Sequence, residues 1–167
     1  MAPHNLTPLQ PQNRLTMAIH ILQLRRGKSE SLRRFHPWIF SGALTRIPEN
    51  LAEGTLVRVV DENNKFMALG HYQIGSIAVR ILAFGVGELP QDFWLERIAA
   101  AYEVRKSLGL VREDNNSYRL VHGEGDFLPG LIIDVYADTA VVQAHSIGMH
   151  YHRVEIAEAI VKVVEQV

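Results

Sequence analysis

Cysteine is absent from the 167 residues. Its absence removes disulfide staples, thiolate metal sites and any cysteine nucleophile from this chain, and it fits a reducing compartment. No apolar run approaches the roughly 20 residues that a membrane span requires. The opening stretch MAPHNLTPLQPQNRLT lacks the apolar core of a secretory signal. Rich in Pro, Gln and Asn, residues 1–16 are expected to be a disordered tail, with Met17 an alternative start. Neither G-x-G-x-x-G nor G-x-x-x-x-G-K follows a strand-like run, and no Ser occupies a nucleophile elbow. The expectation is a soluble, cytoplasmic chain with no membrane partner, carrying no catalytic residue, no cofactor-binding residue and no metal site of its own.

What is present is a mixed, globular composition, 47% hydrophobic and 21% charged, enough to bury a core. The net charge of −1 hides a division. Residues 1–46 hold seven Lys/Arg and one acid, and residues 47–167 hold ten Lys/Arg and seventeen acids. Such asymmetry points to a polyanionic partner. The cations concentrate at Arg25, Arg26, Lys28, Arg33 and Arg34, followed at once by His36-Pro37-Trp38-Ile39-Phe40. Cations beside aromatic rings suit RNA, whose phosphates attract the former and whose bases stack on the latter. The alternative is an ordinary solvated face. Trp38 and Phe40 alternate with Ile39 and are expected to plug a small barrel, with base stacking as the other reading. His36 joins the RNA-contact set, although it and Pro37 also suit the shaping of a turn.

Along the chain, residues 18–24 read as a strand and Ser29–Arg34 as a basic turn or short helix. Leu56–Asp61 and Phe66–Tyr72 read as a hairpin, and Ser76–Phe84 as a further strand. Residues 85–90 look like a linker. Asp92 to Leu108 turns helical, with Asp92 as cap, Leu95, Ile98, Ala99 and Tyr102 on one face and Gly109 at the exit. Tyr118–Val121, Leu131–Tyr136 and Thr139–Ser146 are strands. A last helix from about His152 is expected to turn Val154, Ala157, Ile160, Val161 and Val164 inward. It reaches Val167 without a stop signal, so the native polypeptide is expected to continue.

The loop from His122 to Gly130 carries Glu124, Asp126, three glycines and Pro129 between two apolar strands. Pro129-Gly130 fits a type II turn. Glu124 and Asp126 either bind a cation, a base or an arginine, or satisfy amides of their own loop. A position over a cleft is the favoured reading for Glu124, Asp126, Pro129 and Gly130. His145, His150 and His152 cluster without acids at ligand spacing, which argues against a metal site.

The stretches Leu24–Leu44 (LRRGKSESLRRFHPWIFSGAL) and Tyr118–Tyr136 (YRLVHGEGDFLPGLIIDVY) together resemble the large-subunit ribosomal RNA cytosine-5 methyltransferase family. The first resembles its N-terminal PUA domain, the second a signature loop of its central domain, and the likeness extends from about Ala18 to Val167. The resemblance implies an α+β chain: a PUA-like barrel at 17–88, then a small αβ domain of strands flanking a helix at 89–167. It also implies RNA as partner, large-subunit rRNA in particular, and S-adenosylmethionine as the parent's cofactor, held by a Rossmann-like domain not found in these residues. The expected role is RNA positioning without catalysis. A stand-alone RNA-binding module and a protein-interaction fragment are the alternatives, and a homodimer is left open.

Overall fold

The computed structural model describes residues 20–164, so the tail expected at residues 1–16 lies outside the described residues. The first half is β1 (His20–Gln23), a one-turn α1 (Glu30–Arg33), β2 (Trp38–Phe40), β3 (Leu56–Val60), β4 (Phe66–Tyr72) and β5 (Ile77–Phe84). They form one sheet in the order β1-β3-β4-β5-β2, with β1 parallel to β3 and the other pairs antiparallel. The outer strands are drawn together by a Leu24–Leu44 bridge, by Arg25 N–H on Ala43 O at 2.8 Å and by Thr45 N–H on Gln23 O at 2.9 Å. Register shifts at Val59/Val60, Leu69/Gly70 and Ile39/Phe40 supply the bending that such closure needs. At Gly70 a Cβ would stand 2.4 Å from Arg80 O, so only glycine admits this close approach of β4 and β5.

Inside the barrel lie Leu22, Leu24, Leu32, Ile39, Val57, Val59, Val79 and Ile81. The alternation in β2 therefore has the opposite phase to the one expected. Ile39, paired with Val79, points in, whereas Trp38 is half-buried and Phe40 exposed on the outer side. A three-residue strand alternates equally well in either phase, and only its register on β5 selects the inward side. Ile39→Ala should consequently cost about 2–5 kcal/mol, as buried Ile truncations do, and Trp38→Ala distinctly less. Urea unfolding of both variants checks the order, and a larger loss at Trp38 would contradict this register.

The second half is α2 (Phe93–Ser107), β6 (Ser117–His122), β7 (Leu131–Tyr136), β8 (Thr139–Ala144), α3 (Ile147–Tyr151) and α4 (Arg153–Val164). The strands form an antiparallel sheet β6-β7-β8, on which α2 and α4 pack through Trp94, Ile98, Leu120, Leu131, Ile133, Ile156 and Ile160. Asp92 stands at the N-cap of α2 but makes no side-chain cap bond. Its backbone is already turned (φ −95°, ψ 22°), away from the extended geometry that aims a carboxylate at the first amides. Gly109, at φ 69°, ends the helix as expected.

α4 corrects a second expectation. Ile156, Ala159, Ile160 and Val163 face the core, while Val154, Val161 and Val164 are exposed. Two apolar stripes run along this helix about a third of a turn apart, and periodicity alone does not say which one meets α2.

The two cores share a wall. On β5, Ile81 faces the barrel interior and Leu82 the second core. Nearby, His71 of β4 is only 2% exposed and stacks on His152 with centroids 5.4 Å apart, and Trp94 lies 4.9 Å from His152. Burial, then the adjacent His152, lowers the His71 pKa from 6.5 to about 3. The ring lies so close to Gly148 of α3 that a Cβ there would meet it at 2.2 Å.

Candidate nucleic-acid interface

The basic segment takes its shape from a glycine turn and one buried anchor. Gly27 (φ 75°) turns the chain after β1, and Leu32 is the one buried residue of α1. With Leu32 facing the barrel, the rest of the turn is displayed to solvent. Arg25, Arg26, Lys28, Arg33, Arg34 and His36 are all exposed. Their charges are not equally free. Arg25 Nε donates to Leu44 O at 2.8 Å, and Arg34 Nε donates to Glu30 at 3.0 Å. Arg26, Lys28 and Arg33 make no ion pair or side-chain hydrogen bond among the described residues. Phe35 follows in a left-handed conformation (φ 60°) and is 64% exposed, with its ring edge-on to Phe84 at 5.3 Å. A large apolar ring displayed at a strained position beside unpaired cations is costly unless something covers it.

The segment leads into a cleft. His36 meets the Trp38 ring edge-on at 5.8 Å, and Trp38 lines a cavity of about 390 Å3 with Ile77, Arg80, His122, Glu124 and His145. Trp38 Nε1 donates to Glu124 Oε1 at 2.8 Å, and Arg80 Nη1 stands 3.4 Å from the same oxygen. Arg80 lies 6.0 Å from the Trp38 ring centroid and donates through Nε to Gln73 Oε1 at 3.0 Å. These groups come from both halves: Trp38, Gln73, Ile77 and Arg80 from the barrel side, the others from the αβ region. A second hollow of about 570 Å3 adjoins through His145 and is lined by Glu53, Gln73, Ser146 and His150.

The loop residues separate by role. Glu124 enters the cleft. Asp126 turns the other way: its carboxylate accepts from both Nη atoms of Arg105 and from the backbone N–H of His122. Arg105 in turn donates to Arg119 O at 2.9 Å. Pro129 is buried, and Leu131 N–H reaches Leu128 O at 3.0 Å with Gly130 at φ 88°, the expected type II turn. Gly130 borders the cavity, where a Cβ would stand 3.1 Å from Ser146 Oγ. Among the described residues no group of three or more His, Asp or Glu is placed to hold a metal, and His71 and His152 stack as an apolar contact.

Sequence reasoning missed Arg80 and Gln73, gave His122 and His145 no place in a binding site, and favoured the barrel core over base stacking for Trp38. One signal was available. Arg80 interrupts the apolar run Ile77–Phe84, and a cation in a strand buried on both sides needs a partner.

Residues 22–84 match the PUA-like domain family. Ribosomal RNA large subunit methyltransferase I of Escherichia coli (strain SMS-3-5 / SECEC) is 37% identical over 141 residues, 83% of this chain and 35% of that protein. Its counterpart from Erwinia tasmaniensis is 36% identical over the same shares. The chain therefore spans 35% of the length of the curated relatives it matches. A protein of Streptococcus mutans described as a SAM-dependent methyltransferase has the same fold over 88% of this chain and 38% of its own, with a TM-score of 0.76 at 18% identity. Another, described as a methyltransferase complexed with SAH, gives 0.73 at 17% identity, over 89% and 38%.

Proposed function

We propose that this chain, an α+β PUA-like domain followed by a small αβ region and homologous to ribosomal RNA methyltransferases, holds and positions RNA for a SAM-dependent methylation without performing it. The observation that carries this reading is the unpaired set Arg26, Lys28 and Arg33, displayed on a turn that runs through His36 into the Trp38 cleft. Large-subunit rRNA as the target follows the relatives' names. Carbon 5 of cytosine as the methylated position rests on the resemblance of Leu24–Leu44 and Tyr118–Tyr136, and that chemistry calls for a cysteine this chain does not contain.

The described residues do not suit S-adenosylmethionine. Its usual cradle is a glycine-rich turn between a parallel strand and a helix. The αβ region instead has three antiparallel strands, and its glycine-rich loop, Gly123–Gly130, joins two of them and is tied to α2 by the Arg105–Asp126 pair. The cofactor thus belongs, in this reading, to the parent protein and not to these residues. No helix among the described residues is long and apolar enough to cross a membrane.

Fluorescence anisotropy with a short structured RNA at several salt concentrations tests the proposal. Arg26→Glu/Lys28→Glu/Arg33→Glu should bind unrelated RNA sequences uniformly more weakly, because phosphate contacts position rather than specify. Each lost contact should reduce the log–log salt slope by about 0.7 to 0.9. Melting temperature should barely move, since the three side chains are exposed. Equal affinities and slopes in the triple variant would leave this segment a solvated face.

A further inference from the structure

We propose that the cleft between the barrel and the αβ region is a base-reading pocket that holds one unstacked guanine of the bound RNA. The inference rests on the RNA-positioning reading above and adds the identity of the group recognised. Its volume of about 390 Å3 falls in the range of small-ligand pockets, and its walls, chiefly Trp38, Ile77 and Leu131, are apolar. Against these walls stand the polar groups of Arg80, His122, Glu124 and His145, which decide what enters.

The central polar group is Glu124, and it is held in place. Both of its contacts, from Trp38 Nε1 and Arg80 Nη1, fall on Oε1. No hydrogen bond among the described residues uses Oε2. Arg80 is itself fixed by Gln73 and sits against the Trp38 ring. The carboxylate is thus oriented and charge-balanced before any ligand arrives. An ionised carboxylate only accepts hydrogen bonds. It therefore selects a base edge that offers adjacent donors and no acceptor beside them. Guanine meets this condition with N1–H next to its exocyclic amino group. Adenine and cytosine set a ring-nitrogen acceptor beside their amino group, and uracil flanks its one N–H with two carbonyls. Each of these would bring a lone pair against the carboxylate.

Delivery of the base follows from the layout. The unpaired cations lie along the same segment as Trp38, with His36 in ring contact between them. A backbone following Arg26, Lys28 and Arg33 would present its next nucleotide at the mouth of the cleft. Single-stranded nucleotides are read in this way, by stacking on rings and by hydrogen bonds to the exposed base edge.

The test uses the full chain and a set of RNA hairpins identical except for one looped-out nucleotide, G, A, C or U. The guanine hairpin should bind on the order of tenfold more tightly than the other three, within the range of one well-placed base contact. Glu124→Gln keeps an oxygen for the Trp38 and Arg80 contacts but adds donors, so it should remove the guanine preference while the melting temperature and salt slope stay as in wild type. Equal binding of all four hairpins by the wild type, with a steep salt slope, would overturn the pocket and leave the phosphate track standing. A preference for another base, or a guanine preference unchanged in Glu124→Gln, would overturn it as well. Absence of any salt-dependent RNA binding would remove the pocket together with the function on which it rests.

Discussion

Replacing Asp126 by alanine should cost about 3–5 kcal/mol, the usual loss when one member of a buried ion pair is removed. The Arg105 and Asp126 side chains are only 11% and 7% exposed. The Asp126 carboxylate takes both guanidinium Nη atoms and also the His122 amide. Its loss strands a buried cation and a backbone donor at once. The pair ties the last turn of α2 to the loop that carries Glu124, so the damage reaches the cleft as well. Asp126→Asn should be milder, because an amide oxygen still accepts one Arg105 bond and the His122 amide. Glu124→Gln, on the open side of the same loop, should leave stability close to wild type. Guanidinium unfolding of the three variants gives the ordering. If Asp126→Ala unfolds at the wild-type midpoint, the loop is not held by this pair, and the placement of Glu124 would need another cause.

The second large effect lies where His71 meets Gly148. A methyl group at Gly148 would stand 2.2 Å from the buried His71 ring, so one of the two must shift. Gly148→Ala should therefore destabilise by about 1–3 kcal/mol, as overpacked sites do, and should lower the melting temperature accordingly. Burial of the same ring, with His152 beside it, makes stability depend on pH. His71 has its pKa lowered to about 3 in the folded chain, against 6.5 unfolded, so between those values the unfolded state binds the extra proton. Stability from this group is complete above pH 6.5 and drains away as pH falls toward 3. The loss at pH 5 should be about 2 kcal/mol relative to pH 7.5. Urea midpoints at the two pH values measure it, and His71→Asn should flatten that difference. A wild-type midpoint that does not move between pH 7.5 and 5 would mean that His71 is not sequestered as described.

The proposed RNA site is assembled across the junction between the two halves, which the His71–Gly148 contact spans. The Trp38 ring and Arg80 belong to the barrel, Glu124 and His145 to the αβ region, and β5 serves both cores through Ile81 and Leu82. A rigid seam would let the phosphate track and the cleft act as one surface. Weakening of the seam by acid or by Gly148→Ala should therefore reduce base discrimination before it reduces salt-dependent affinity. Repeating the hairpin series at pH 5 would show this separation.

Local chemistry sufficed for most of the elements, though not for β2 or α3. Val- and Ile-rich runs marked β3, β5 and β7, and Gly109 marked the end of α2 at its left-handed backbone. Pro129-Gly130 specified its turn because proline and glycine each restrict or permit one dihedral region, whatever surrounds them. The Arg25–Arg34 cations were legible for the same reason: charge density along a chain is a property of the chain.

Tertiary structure alone decided which sides of those elements face inward, and with whom the loop acids pair. Trp38 faces the cleft and Ile39 the barrel because β2 registers on β5 with Ile39 opposite Val79. α4 buries Ile156, Ala159, Ile160 and Val163 because α2 claims that stripe, leaving Val161 outside. Glu124 and Asp126 are two residues apart, yet one meets Trp38 and Arg80 and the other Arg105, groups 86, 44 and 21 positions away. Periodicity records which residues share a side of an element, and composition records which charges need partners. The identity of the neighbour is set only when distant segments pack, which is why a run of cations and a loop over a cleft could be expected from the amino-acid order while the partners lining that cleft could not.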